Sequence, residues 1–182
     1  MTNLDVCFLP AHRMLEMISK GEISAAELLD CHLDQITKIN GKINAIVTLD
    51  EDRARSKARS IDQRISQKAP MRILEALPVA HKDLTVTKDM RTTFGSPIFE
   101  NFVPDRNALI VDRLQDSGAV TIGKTNTPEF GAGSQTFNTV FGSTRNPYDL
   151  DKTCGGSSGG AAAALAAGLI PIADGSDHGG SL

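Results

Sequence analysis

Apolar residues recur with helical periodicity through the first seventy positions of the chain. Leucine and isoleucine follow Ser24 at three- and four-residue intervals until Gly41, and Ser24 with Glu27 has the spacing of a capping box. Two further helices are predicted, one from Pro10 to Gly21 and one after Asp50. The apolar positions that carry these three predictions are Met14, Leu15 and Ile18; Leu28, Leu29, Leu33, Ile36 and Ile39; and Ala54, Ala58, Ile61 and Ile65.

After Pro70 the pattern changes to short apolar runs separated by turns and helices. Leu77 to Ala80 and Ala119 to Ile122 predict buried strands, and Asn107 to Ser117 predicts a helix. The alanine-rich segment from Ala161 to Ala167 predicts a helix with little side-chain bulk. The helix over 107–117 is expected to turn Ala108, Leu109, Val111 and Leu114 inward. The alternation of elements predicts an α/β protein, in which residues 1–70 form a helical segment of the same domain as residues 71–182.

Composition and charge narrow the class of protein. Lys+Arg 19 against Asp+Glu 22 give a net charge of −3, which argues against direct nucleic-acid binding and against a polybasic membrane anchor. The longest weakly polar stretch, Ala161 to Ala173, is shorter than the roughly 20 residues of a membrane span. The N-terminus shows no secretory signal, and three cysteines without close spacing fit a reducing compartment. We therefore expect a cytoplasmic protein with three free thiols.

Glycine is concentrated in the second half, since only Gly21 and Gly41 of the 16 glycines precede Gly95. Three phrases place a reactive side chain beside small or flexible residues. Lys82 ends Leu77-Pro78-Val79-Ala80-His81-Lys82-Asp83, Ser157 lies in Cys154-Gly155-Gly156-Ser157-Ser158-Gly159-Gly160, and Ser181 ends Asp174-Gly175-Ser176-Asp177-His178-Gly179-Gly180-Ser181. Each phrase also has an ordinary interpretation, as a solvated lysine, an N-capped turn or a plain loop.

The chemistry of these phrases is nevertheless coherent. Burial after a strand would lower the pKa of Lys82 toward that of a useful base. Consecutive glycines such as Gly179 and Gly180 can turn backbone amides toward one point, as stabilisation of an oxyanion requires. His81 and His178 adjoin the candidates, but a lone histidine is more often packed or solvated, so neither is assigned as the base.

Read together and in this order, the three phrases resemble the amidase signature family. The similarity extends through Thr92–Ser96, Gly123–Gly131, Phe141-Gly142 and Asn146-Pro147, and Ser157 precedes Ser181 by the 24 positions that separate the two catalytic serines of the family. The resemblance implies a mixed central β-sheet flanked by helices, with the N-terminal helices packed outside it. Family members continue well past the nucleophile, so we expect this chain to be the N-terminal part of a larger enzyme.

The resemblance also implies a mechanism. Ser181 matches the nucleophile, Ser157 the bridging serine on a cis peptide, and Lys82 the base. The backbone amides of His178, Gly179, Gly180 and Ser181 match the oxyanion hole, and Gly131 matches a backbone position that lines the substrate pocket. The implied substrate is a small-molecule amide, without a metal or cofactor, and the family allows oligomers. This chain departs from the family at His178, where Thr or Ile is common, and at Ala161, where a polar residue is common.

Other functions remain open from the residues alone. The A-type subunit of an amidotransferase shares the family pattern. Gly155-Gly156-Ser157-Ser158-Gly159 also matches the nucleophile motif of α/β-hydrolases, but Asp177 and His178 are adjacent, which is a poor arrangement for the other two triad members. A third alternative is a non-catalytic fragment or a phosphate-binding module at Gly155 to Gly160, although Ala161 stands where a Walker lysine is needed.

Overall fold

The computed structural model describes residues 3–182. The helices are α1 Asn3–Cys7, α2 Ala11–Ser19, α3 Ala25–Ile43, α4 Glu51–Ser66, α5 Leu109–Asp116 and α6 Gly159–Ala166, with short 3₁₀ turns at Pro97–Phe99 and Glu129–Gly131. The strands are β1 Ile46–Leu49, β2 Pro78–Lys82, β3 Val120–Thr125, β4 Phe137–Asn138, β5 Gly142–Ser143, β6 Arg145–Asn146, β7 Asp149–Thr153 and β8 Ile172–Ala173. No helix in this described part is long and apolar enough to cross a membrane.

The three N-terminal helices predicted from periodicity are confirmed as α2, α3 and α4. The capping box of α3 is formed, because Ser24 Oγ accepts a hydrogen bond from the Glu27 amide at 3.1 Å and the Glu27 carboxylate accepts one from the Ser24 amide at 2.8 Å. The helix passes through Gly41 and ends at Ile43, where Asn44 adopts the left-handed conformation that closes it.

A mixed four-stranded sheet forms the centre of the fold, as expected. Its order is β1-β3-β2-β8; β1 runs antiparallel to β3, whereas β2 is parallel to both β3 and β8. Strand β1 was not predicted, because it is only four residues long and lies between two strongly periodic helices. Two small hairpins, β4–β5 and β6–β7, were also not predicted.

Buried side chains of α1 to α4 form one hydrophobic cluster with those of β2, β3 and α6. The expectation for α5 was wrong at Leu109, which is 65% exposed, whereas Val111 is fully buried. The physical reason is that α5 begins at Leu109, and two helical positions separate it from Val111 by roughly 200° around the axis. All three cysteines are free, as expected.

The sheet brings the three predicted phrases to one edge. Lys82 is the last residue of β2, and the phrase that contains Ser181 follows β8 directly. Because β2 and β8 are parallel, their carboxyl ends lie at the same edge, which is where α/β proteins bind ligands. Helix α6, preceded by Ser157, also packs against β2 and β8.

Candidate active site

The side chain of Lys82 is completely buried and surrounded by four hydroxyl groups. Its Nζ atom lies 2.8 Å from Ser157 Oγ, 2.9 Å from Ser158 Oγ, 3.0 Å from Ser176 Oγ and 3.5 Å from Ser181 Oγ. A primary amine held among hydroxyl oxygens can exchange protons with each of them. The structure therefore brings together Lys82, Ser157 and Ser181, the three residues singled out in the sequence.

Burial also changes the acidity of this lysine. Removal from water disfavours the charged ammonium and lowers the pKa of Lys82 from 10.5 to about 8, although the carboxylates of Asp174 and Asp177 oppose the shift. A lysine with this pKa has a substantial neutral fraction near neutral pH. It is therefore suited to act as a general base.

The two serines that precede α6 both contact Ser181. Ser157 Oγ lies 3.1 Å from Ser181 Oγ, and the Gly156–Ser157 peptide is cis, as the resemblance implies. Ser158 Oγ lies closer to Ser181 Oγ, at 2.7 Å, and the Ser158 amide donates a hydrogen bond to the same oxygen at 2.9 Å. Two hydroxyl routes thus connect Ser181 with the amine of Lys82.

A glycine allows the start of α6 to approach the end of the sheet. A Cβ atom at Gly160 would lie 2.5 Å from the carbonyl oxygen of Asn126, the residue after β3. No side chain fits at that distance, so the position requires glycine. This close approach carries Ser157 and Ser158 to the end of β2, where Lys82 lies.

The loop expected to form the oxyanion hole is exposed at His178, Gly179 and Gly180. The Gly180 amide donates to Asp177 Oδ1 at 2.5 Å, and the Leu182 amide donates to Asp177 Oδ2 at 3.0 Å. These backbone hydrogen bonds lower the pKa of the Asp177 carboxyl. Asp177 thus binds the backbone of its own loop, which is the role of a turn residue rather than of a triad acid.

Gly131, expected to line the substrate pocket, lies beside Ser157. It has a positive φ of 71°, and a Cβ atom there would lie 3.9 Å from Ser157 Oγ and 2.6 Å from Leu84 Cδ1. Any side chain at Gly131 would therefore collide with Leu84 and enter the space next to the serines. The backbone of Gly131 and the side chain of Leu84 border the space next to Ser157.

Sequence reasoning assigned no role to several residues around Lys82. Ser158 and Ser176 contact its amine directly, and Asp174 accepts a hydrogen bond from its backbone amide at 3.1 Å. All three lie inside the phrases quoted for their glycines and serines. The available signal was the serine doublet and the acidic residue just before the loop, but neither indicates which side chains turn toward the lysine.

A second buried lysine, Lys124 on β3, lies on the next strand. Its Nζ atom contacts Thr87 Oγ1 at 3.0 Å, Thr92 Oγ1 at 3.2 Å and the carbonyl oxygen of Thr85. Burial lowers the pKa of Lys124 to about 8, against the attraction of nearby carboxylates. Its contacts bind it to the chain segment that follows β2, so we interpret Lys124 as a structural residue.

Comparison with known proteins gives a consistent result. The family model named Amidase matches residues 27–182. Over 167 residues the chain is 44% identical to its counterpart in Bacillus pumilus (strain SAFR-032), the A-type chain of glutamyl-tRNA(Gln) amidotransferase. The alignment covers 92% of this chain and 34% of that protein.

Solved structures agree with the sequence relatives. A bacterial aryl acylamidase of the amidase signature enzymes superimposes with a TM-score of 0.87 at 32% identity, covering 91% of this chain and 35% of that one. Fatty acid amide hydrolase superimposes with a TM-score of 0.93 at 26% identity, covering 100% of this chain and 32% of that one. The chain thus spans about a third of the length of these proteins. Because the family model covers most of its residues, the chain belongs to the amidase signature family.

Proposed function

We propose that this chain carries the catalytic centre of an enzyme that cleaves a carboxylic amide through an acyl-enzyme on Ser181. The observation that carries the proposal is the continuous path from Lys82 Nζ to Ser157 Oγ at 2.8 Å and on to Ser181 Oγ at 3.1 Å. Family membership supports the reaction class, because the solved relatives include an aryl acylamidase and a fatty acid amide hydrolase.

The first half-reaction begins with neutral Lys82. Ser157 passes its hydroxyl proton to Lys82 Nζ and takes the proton of Ser181, while Ser181 Oγ attacks the amide carbonyl carbon. The carbonyl π electrons move to oxygen and give a tetrahedral intermediate. When the C–N bond breaks, the proton held by Lys82 returns through Ser157 to the leaving amine, and the acyl group remains as an ester on Ser181.

The second half-reaction repeats this path with water. Water gives a proton through the relay, attacks the ester carbonyl and releases the carboxylic acid, while Ser181 recovers its proton. We assign stabilisation of the negatively charged oxygen to the amides of His178, Gly179, Gly180 and Ser181. The hydrogen bond from Gly180 to Asp177 must be released, or shared, for the Gly180 amide to act in this way.

Labelling with a fluorophosphonate tests the assignment of the nucleophile. The full-length protein is treated with the reagent, digested, and mapped by mass spectrometry. We expect the adduct on Ser181, and we expect its loss in Ser181→Ala. Ser176→Ala is the matched control, since Ser176 also contacts Lys82 but is not the assigned nucleophile. An adduct on Ser157 in the active wild-type protein would instead support the α/β-hydrolase interpretation.

A second candidate function is that of an amidotransferase A-type subunit. The 44% identity to the Bacillus pumilus protein favours it, and in that case the chain would act with partner subunits. Ammonia release from glutamine and amine release from a coloured anilide distinguish the two candidates. Faster turnover of the anilide by the protein alone supports a free-standing amidase with a small-molecule substrate, whereas glutamine turnover that requires partner subunits supports the amidotransferase. The cytoplasmic location stays a prediction.

A further inference from the structure

A line of hydrogen bonds behind Lys82 joins three strands of the sheet. The imidazole of His81 is completely buried, with Nδ1 2.9 Å from Asp174 Oδ1 and Nε2 3.0 Å from Thr121 Oγ1. Thr121 Oγ1 accepts a further hydrogen bond from Gln115 Nε2 at 3.1 Å. Because successive residues of a strand point to opposite faces, His81 and Lys82 lie on opposite sides of β2. The catalytic face and this second face are thus linked through the strand itself.

The hydrogen bonds of this line have a consistent direction. A carboxylate only accepts, so His81 Nδ1 carries the proton toward Asp174. With a neutral imidazole, Nε2 accepts from the Thr121 hydroxyl, which in turn accepts from Gln115. Burial raises the pKa of the Asp174 carboxyl, but the hydrogen bonds and charge from His81, together with those from Thr85 and the Lys82 amide, outweigh it and lower the pKa. Asp174 is therefore an ionised, oriented group.

Asp174 holds both the strand and the loop that form the site. The parallel ladder between β2 and β8 stops at the pair Ala80 and Ala173, and beyond it the Lys82 amide donates to Asp174 Oδ1 at 3.1 Å. Asp174 Oδ2 accepts from the hydroxyl of Thr85 at 2.7 Å, and the Thr85 amide donates to the Lys82 carbonyl oxygen at 2.7 Å. The backbone of Lys82 is therefore restrained on both sides by one carboxylate.

The same residue begins the loop that carries the nucleophile. Ser176, two residues after Asp174, contacts Lys82 Nζ, and Ser181 follows five residues later. We propose that Asp174, oriented by His81, is the positioning residue that holds the base Lys82 in register with the Ser176–Ser181 loop. This inference rests on the proposed function, because it assigns the base role to Lys82.

The charges around Lys82 make the role measurable. Strand β2 and the residue after it contribute His81 and Asp83, strand β3 contributes Lys124, and the loop after β8 contributes Asp174 and Asp177. Helix α6 has no titratable side chain, and the segment before it contributes the thiol of Cys154. Of these groups, Asp174 and Asp177 stabilise the Lys82 ammonium. Removal of the charge of Asp174 should lower the pH at which Lys82 loses its proton.

The test uses the full-length protein and four variants. Asp174→Asn keeps an acceptor for the Lys82 amide but removes the charge, and Asp174→Ala removes both. His81→Gln removes the group that orients Asp174. His32→Gln is the matched control, because His32 is also a fully buried histidine, with Nδ1 3.2 Å from the Gly168 carbonyl oxygen. Ser181 labelling by the fluorophosphonate is followed from pH 6 to 10, and thermal unfolding is measured in parallel.

We expect Asp174→Ala to lower the high-pH labelling rate by about 100-fold, the size of effect that a 1 Å misplacement of a catalytic group produces. Asp174→Asn should retain more of that rate and shift the midpoint of the pH profile downward. His81→Gln should lower the rate in the same direction, whereas His32→Gln should change only thermal stability.

Equal rates and midpoints in the wild type and both Asp174 variants would overturn the inference. So would equal losses in Asn and Ala with an unmoved midpoint, since that result is the signature of a merely structural residue. A change in the profile of His32→Gln as large as that of His81→Gln would have the same meaning. Failure of the proposed function is distinguishable, because the wild-type adduct would then lie elsewhere than Ser181.

Discussion

The amine of Lys82 lies 2.8 Å from the hydroxyl oxygen of Ser157, although 75 positions separate the two residues in the chain. The amine is buried, and the hydroxyl lies next to Ser181 Oγ at 3.1 Å. An aliphatic amine thus occupies the position that an imidazole holds in Ser-His-Asp enzymes. The following predictions depend on this arrangement and on the packing that maintains it.

Replacement of the amine should abolish most of the activity. Lys82→Met fills a similar volume without a proton acceptor, and loss of a general base costs about 100- to 10,000-fold. The rate of Ser181 labelling and the turnover of an amide substrate both measure the effect. Lys152→Met is the control, because Lys152 is 73% exposed and pairs only with Asp149 on the surface. Undiminished activity in Lys82→Met would refute the proposed mechanism.

The rate should depend on pH through the ionisation of Lys82. The base must be neutral, and burial lowers its pKa from 10.5 to about 8. The labelling rate should therefore rise with pH, level off above about pH 8, and fall about tenfold for each pH unit below the midpoint. A profile with its midpoint near 10.5 would show that Lys82 is not desolvated in the working enzyme. Lys82→Met should lack this limb altogether.

The two serines before α6 should differ in importance. Ser157→Ala is expected to lower the acylation rate by at least about 100-fold, because it breaks the assigned relay. Ser158→Ala should cost less, since the Ser158 hydroxyl also donates to the Ser176 carbonyl oxygen at 3.3 Å and is then not free to relay a proton. Single-turnover rates for both variants and for the double variant measure the difference. The reverse order would transfer the relay to Ser158.

Two glycines in helices should respond to alanine in opposite ways. Gly160→Ala places a methyl group 2.5 Å from the Asn126 carbonyl oxygen, and such overpacking costs about 1–3 kcal/mol. Gly41→Ala, within α3, meets nothing within 4 Å and should stabilise the protein by about 0.5–1 kcal/mol through higher helix propensity. Urea unfolding measures both changes. If Gly160→Ala leaves stability unchanged, the close approach of α6 to the sheet is not required.

Much of the fold could be predicted because its signals are local. The capping box at Ser24 and the apolar spacing of α3 and α4 are properties of neighbouring residues, and the structure confirms these elements. Strand β1 escaped prediction because four residues carry too little periodicity, and its pairing with β3 joins residues far apart in the chain. Leu109 was placed inward because the start of α5 cannot be located closely from the pattern alone.

The candidate site divides in the same way. Lys82, Ser157 and Ser181 were recognisable by residue type, order and spacing, because a family pattern preserves them along the chain. Ser158, Ser176, His81 and Asp174 were not, since their part in the site depends on where their side chains turn. The buried state of Lys82, which makes it a base, also depends on the sheet around it.

The sequence alone determined the class of fold, the N-terminal helices and the identity of the three reacting side chains, because periodicity, capping and motif spacing act within short stretches of chain. The tertiary structure decided which hydroxyl groups meet the Lys82 amine, which carboxylate restrains its backbone and how Asp177 engages the loop amides. Those contacts join residues up to 99 positions apart, and they exist only after β2, β8 and α6 have packed together.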